Sequence, residues 1–342
     1  MVTGDAMSAP EVEIHTAKLI DLPVLRRMSD SAVALHAELK CTLPQGGGLT
    51  VLPPLVLRQR GVYTLVGRAY RQTLAGQYRL KADDHLAQVL ALSPRLDDET
   101  ADSAWLHLID AMTADAGRRG AHILTGEVDE GSRLFCTMRQ AGFAVYARQE
   151  LYFAPSALSL RPAGPLAGAL DDETDADAMD VQLLYANIVP RLVQPIAVPS
   201  SDSTGLVYRR DGHIMGYLAL SSGRGGLYVL PFLHPDIPGR EAAAVLYAAI
   251  SRMAGRGAGL PVYVCVRRYQ DWLEEPLQAL GMERVAEQAV MVRHITAGVR
   301  QPAFARVPAA LQIVRAITPP TSHIEFNPPL DAVDEATAYH GV

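Results

Sequence analysis

The chain has 342 residues, 49% of them hydrophobic and 20% charged, which is the balance of a globular protein and not of a disordered or collagen-like one. At about 100–200 residues per domain, that is enough chain for two domains, each with its own core. Thirty-one basic residues against 37 acidic ones leave a formal charge of −6, which excludes the broad cationic face that phosphate-backbone binding requires.

In chain order, EVEIHTA (11–17) alternates as a strand. Leu22, Leu25, Met28, Val33 and Leu35 predict a helix that opens at Asp21-Leu22-Pro23, with Asp21 as N-cap. Residues 41–54 read as a loop. Three strand-like runs, 62–70, 72–80 and 85–92, are separated by short polar turns and predict an antiparallel meander. The period then becomes helical between Thr100 and Arg119, returns to strand at 122–128, gives a short helix at 132–140, and ends in a strand at 143–153 that closes the unit. Residues 154–178, small residues and prolines followed by a run of acids, read as a linker with too little apolar surface to pack.

The second half repeats this order. A hairpin at 206–220 turns on Asp211-Gly212, and a strand at 226–233 precedes a helix from Pro238 to Arg256. A strand at 261–266, a helix at 271–280 and a strand at 282–294 follow. Aligning Gly142 with Gly281 gives an offset of 139, and at that offset Gly120 falls on Gly259. An internal duplication follows, with domains at 11–153 and 179–296, the linker at 154–178, and a strap or tail at 297–342 whose prolines forbid a long element.

Other patterns carry less. Cys41, Cys136 and Cys265 lie 95 and 129 residues apart, so neither a CxxC knuckle nor a disulfide framework is expected, and a reducing, cytoplasmic setting is. Ten histidines show no HxxxH or HxH spacing, so no metal is expected. Nor is a membrane span, since no apolar run reaches about 18–20 residues, or a signal peptide, since MVTGDAMSAPEVEIH carries acidic residues where basic and then apolar ones would stand. Gly255-Arg256-Gly257-Ala258-Gly259 follows a helix, which makes it a helix stop and not a dinucleotide loop. Ser222-Gly223-Arg224-Gly225-Gly226 reads as a hairpin turn.

The element order, Ala141-Gly142-Phe143 before the last strand of the first half, and LHPDIPGREAAAVLYAAI (233–250) together resemble the acetyl-coenzyme A-dependent N-acetyltransferases of the GNAT superfamily. The resemblance covers roughly 11–153 and 180–295. It implies an α/β fold: two tandem GNAT-like units, each a twisted mixed sheet with helices on both faces. It also implies acetyl-coenzyme A as cofactor, entering where two parallel strands splay, with its pyrophosphate on a glycine-bearing helix start. In the first copy that loop, 95–102, carries four carboxylates and no glycine. In the second copy the resemblance puts Leu233, His234, Gly239 and Arg240 on the cofactor side.

Acyl transfer to an amine needs a base for the amine, a donor for the carbonyl oxygen and a proton for the departing thiolate. Where the resemblance calls for a tyrosine as that proton donor, Met138 and Leu277 stand instead. The polar residues nearby are Glu127, Asp129 and Tyr146 in the first copy and Tyr228, Cys265 and Tyr269 in the second, and no catalytic residue is singled out among them. Two readings stay open. One is an N-acyltransferase acting on a small-molecule or protein amine. The other is a catalytically silent tandem pair kept for binding a small molecule or a protein; on either reading a second copy of the chain is a candidate partner.

Overall fold

The computed structural model describes residues 12–44, 60–69, 72–82, 84–96, 102–199, 203–255 and 259–295. The acidic loop at 97–101, the loop at 45–54, Arg256 to Ala258, and everything from 296 onward lie outside the described residues, together with the expectations placed on them.

The first half runs β1 (Glu13–Thr16), α1 (Leu22–Met28), β2 (Val33–Ala34), α2 (Ala37–Thr42), β3 (Val62–Ala69), β4 (Gln72–Arg79), β5 (Leu86–Ser93), α3 (Asp102–Arg118), β6 (Ile123–Asp129), α4 (Arg133–Gln140) and β7 (Ala144–Ala154). The second runs β8 (Ala169–Asp172), α5 (Ala178–Ile188), β9 (Thr204–Arg210), β10 (His213–Ser222), β11 (Leu227–Leu233), α6 (Gly239–Ala254), β12 (Val262–Arg267), α7 (Glu274–Ala279) and β13 (Glu283–His294).

Three stretches differ from the sequence expectation. Val33 and Leu35 do not continue α1; Val33 starts β2, an extended piece that pairs with β5. Cys41 and Thr42 close α2 instead of opening a loop. Within the span read as linker, β8 pairs antiparallel with β9, ion pairs join Arg209 to Asp171 and Arg252 to Asp172, and Leu160, Leu166 and Leu170 pack on the core of the second half, so the span carries apolar anchors that its composition as a whole conceals.

The largest departure concerns how each half closes. Among the described residues all strands form one sheet in the order β1-β3-β4-β5-β6-β13-β7-β12-β11-β10-β9-β8, with β2 beside β5. The last strand of the second half lies between β6 and β7 of the first, and β7 lies between β12 and β13 of the second. Each half therefore fills the gap in the other's sheet. Where β7 and β13 pair, Gln149 stands opposite Gln288 and donates its amide N–H to it at 2.9 Å. These residues are 139 apart, so a local twofold relates the copies through this buried pair. Gly142 (φ +84°) and Gly281 (φ +83°) end α4 and α7 with matching bonds: Phe143 N–H reaches Met138 O and Met282 N–H reaches Leu277 O, each at 3.0 Å.

Helices cover one face in two separate cores. Trp105, Leu108 and Met112 of α3 with Met138 of α4 pack on the first half, and Leu246 and Ile250 of α6 with Leu277 of α7 pack on the second. Strand exchange is visible in these cores, because Met291 of β13 belongs to the first and Tyr152 of β7 to the second. A third core on the opposite face joins Ala37 and Cys41 of α2 to Tyr228, Phe232 and Cys265. There α2 packs across on β10 and β11. Gly223 and Gly225 of the predicted hairpin turn permit this, since a Cβ at either would lie 2.2 or 2.0 Å from the carbonyl oxygen of Thr42 or Leu43.

One polar network is buried inside the first half. Tyr78 Oη donates to Asp115 at 2.6 Å, Arg119 Nε donates to it at 3.0 Å, and the Arg119 guanidinium lies 4.1 Å over the Tyr63 ring. Burial raises the Asp115 pKa, but the bonds from Arg119 and Tyr78 outweigh it and leave the carboxyl below the ordinary aspartate range. Its stabilisation is present above the unfolded pKa, near 4, and is lost as pH falls through the folded one. Asp115→Ala is expected to cost about 1–3 kcal/mol at neutral pH. In chemical denaturation the gap between wild type and Asp115→Ala should narrow as pH falls below about 4, and a gap that widened there would contradict the assignment.

Candidate functional site

Both halves contain a splayed pair of parallel strands. β5 and β6 stay in register only from Leu86 opposite Ile123 to Gln88 opposite Thr125, and β11 and β12 only from Leu227 opposite Val262 to Val229 opposite Val264. Beyond those points the strands diverge, which leaves backbone groups on the inner edges of β5 and β11 in need of partners.

The chain itself supplies them. In the first splay Leu35 N–H donates to Leu90 O and Leu35 O accepts from Glu127 N–H, both at 2.8 Å. In the second splay the Gln270 amide accepts from Leu233 N–H and donates to Pro231 O, both at 2.9 Å. Gln270 is buried and sits at a non-helical break (φ −123°, ψ 32°) in the turn after β12.

The four residues assigned to the cofactor side in the second copy fall at the end of β11 and the start of α6. Leu233 is fully buried, with its amide used by Gln270. His234 is half-buried, and its Nδ1 accepts from Asp236 N–H at 3.3 Å. Gly239 and Arg240 are exposed in the first turn of α6. The first bond closing that turn runs from Ala242 N–H to Pro238 O, so the amides of Gly239, Arg240 and Glu241 have no acceptor within the helix. The Glu241 carboxylate turns to Tyr208 Oη and Arg210.

Met138 and Leu277 lie in the two helix-covered cores, and neither offers a proton. Among the six polar candidates, four converge. Glu127 of β6, Tyr228 of β11, Cys265 of β12 and Tyr269 gather around Arg267 at the end of β12, on the face where the halves meet. Tyr146 instead bonds to His294, and Asp129 to Lys40 and Gln288.

Within the cluster, Arg267 Nη2 donates to Glu127 Oε1 at 3.4 Å and Ala37 N–H donates to Oε2 at 2.5 Å. Burial raises the Glu127 pKa, but the charges of Arg267 and His36 and the Ala37 bond hold it below the ordinary carboxylate value. Burial pushes the Cys265 thiol up to about 11 and the Tyr228 and Tyr269 phenols upward. At neutral pH the cluster therefore holds one ion pair and protonated thiol and phenol groups, which donate protons and do not abstract them.

Glu127 lines two cavities. One of 670 Å³ includes Val33, Leu39, Cys41, Leu96 and Leu134, and one of 230 Å³ includes His36, Gln88, Tyr228, Leu230 and Arg267. Sequence reasoning missed His36, Arg267 and Gln270. The one signal for Arg267 is a cation ending the apolar run PVYVCV.

No protein-family model and no curated protein matches the sequence. Solved structures do match. A GCN5-related N-acetyltransferase from Sphaerobacter thermophilus superposes at a TM-score of 0.52 with 13% identity, over 84% of this chain and 97% of that one. A suspected acetyltransferase from Pyrococcus horikoshii gives 0.51 at 12% identity, over 86% and 92%. At such identity the likeness is one of fold, and it agrees with the strand order and the two splayed pairs. The chain has the GNAT acetyltransferase fold, present twice and built into a single sheet.

Proposed function

We propose that the chain is an N-acyltransferase that takes its acyl group from a coenzyme A thioester and passes it to an amine. The observation that carries this reading is the retention of the splayed parallel pair in both halves. The second copy suits the diphosphate end of the cofactor: the first turn of α6 is exposed, Glu241 is turned aside, and a Cβ built on Gly239 meets only Pro276, at 3.8 Å. Gly239 and Arg240 would hold the diphosphate, and Leu233 and His234 would flank the pantetheine arm of coenzyme A. The Leu233 amide and the Pro231 carbonyl become available to that arm once the Gln270 amide is withdrawn from them.

A second reading, a silent binding protein, is favoured by one observation: the chain's own groups bridge both splays, Leu35 in the first and Gln270 in the second.

Calorimetric titration with acetyl-coenzyme A separates the two. On the acyltransferase reading, wild type gives measurable heat and Gln270→Ala tightens binding by on the order of tenfold, because two backbone groups become free for the arm. Gly239→Glu weakens binding by at least about a hundredfold, because it sets a carboxylate against the diphosphate. No heat from folded wild type and from folded Gln270→Ala alike would contradict the acyltransferase reading.

A further inference from the structure

The 230 Å³ cavity lies between the halves and has room for about eight water-sized groups. It is lined by a guanidinium whose donors are mostly unused. The Arg267 side chain is 6% exposed, and its Nε and Nη1, with three N–H groups between them, have no acceptor. Its bond to Glu127 is long at 3.4 Å, and the other Glu127 oxygen is already committed to Ala37. His36 Nδ1, buried on the same lining, also lacks a partner. A desolvated guanidinium without acceptors is costly, and a carboxylate is the acceptor that answers it best.

We propose that this cavity binds a small monocarboxylate through the free N–H groups of Arg267, with His36 and Tyr228 beside it. The lining favours one negative charge over several: its three cations, Arg79, Lys81 and Arg267, are equalled in number by three carboxylates, Glu38, Asp84 and Glu127, so there is no surplus of positive charge to hold a second one. The site draws on both halves, Glu127 and His36 from the first and Tyr228 and Arg267 from the second, and it stands whether or not the chain transfers acyl groups.

Thermal unfolding of the full chain in potassium acetate tests it, compared with potassium chloride at equal ionic strength and with acetamide, the neutral isostere. Acetate is expected to raise the midpoint saturably above both. In Arg267→Lys, which keeps a cation beside Glu127, the half-saturating acetate concentration is expected to rise by at least about fivefold, because the planar fork is gone. In the neutral pair Arg267→Met with Glu127→Gln the acetate-specific rise is expected to vanish. Equal effects of acetate, chloride and acetamide on wild type, or an unchanged half-saturating concentration in Arg267→Lys, would overturn the proposal. Coenzyme A plays no part in the measurement, so its outcome is independent of the acyl-transfer test.

Discussion

Replacing Arg267 by alanine is expected to destabilise the chain by about 3–5 kcal/mol. The reason is what remains: Glu127, held below the ordinary carboxylate range chiefly by this guanidinium working against burial, would be left as a buried charge without its partner. The loss should be far smaller in Arg267→Met with Glu127→Gln, since replacing both members removes two desolvation penalties together with one attraction. Urea denaturation of the two variants measures the contrast directly. A single variant no less stable than the double one would mean that Glu127 reaches water and that the ion pair is not a joint between the halves.

Met291→Ala is expected to loosen the first half although Met291 belongs to the last strand of the second. Its side chain is fully buried in the core of α3 and α4, with Trp105 and Met112, and shortening a buried methionine costs about 2–5 kcal/mol. The chain has two tryptophans, Trp105 in that core and Trp272 packed against the other. In a Trp272→Phe background, fluorescence therefore follows the first half alone. Unfolding reported by Trp105 should shift to lower urea when Met291→Ala is added. No shift would place β13 outside the first half's sheet.

Much of this fold is legible from residue patterns. The two α6- and α3-type helices, the meanders and the hairpin at Asp211-Gly212 follow from period and turn chemistry, with both turn residues at positive φ. The 139-residue offset, read from glycines, reappears as the Gln149–Gln288 pair. What the pattern does not encode is which copy a strand joins. β7 and β13 are buried on both faces over part of their length, as at residues 288–292, and a continuous buried run of that kind is satisfied equally by pairing within a copy or across copies. β8 was hidden because its one core-packed leucine, Leu170, is followed by Asp171 and Asp172 and preceded by small residues, which leaves no alternating apolar run to read.

The site was legible in part. Glu127, Tyr228, Cys265 and Tyr269 were named from sequence as separate candidates in separate copies; strand exchange brings them to one place. His36, Gln270 and Arg267 escaped because a lone polar residue in a loop or at a strand end carries no spacing signal, and their roles exist only once the halves interlock.

Strand exchange is the claim on which the cluster and its cavity depend, and two fragments divided between residues 167 and 168 test it most directly. Produced together, they are expected to purify as a one-to-one complex that unfolds cooperatively. Produced apart, neither should yield a monomer with cooperative unfolding, because each lacks the strand that fills its sheet. A stable, cooperatively unfolding monomer from either fragment alone would show that each copy closes on itself and would contradict the account.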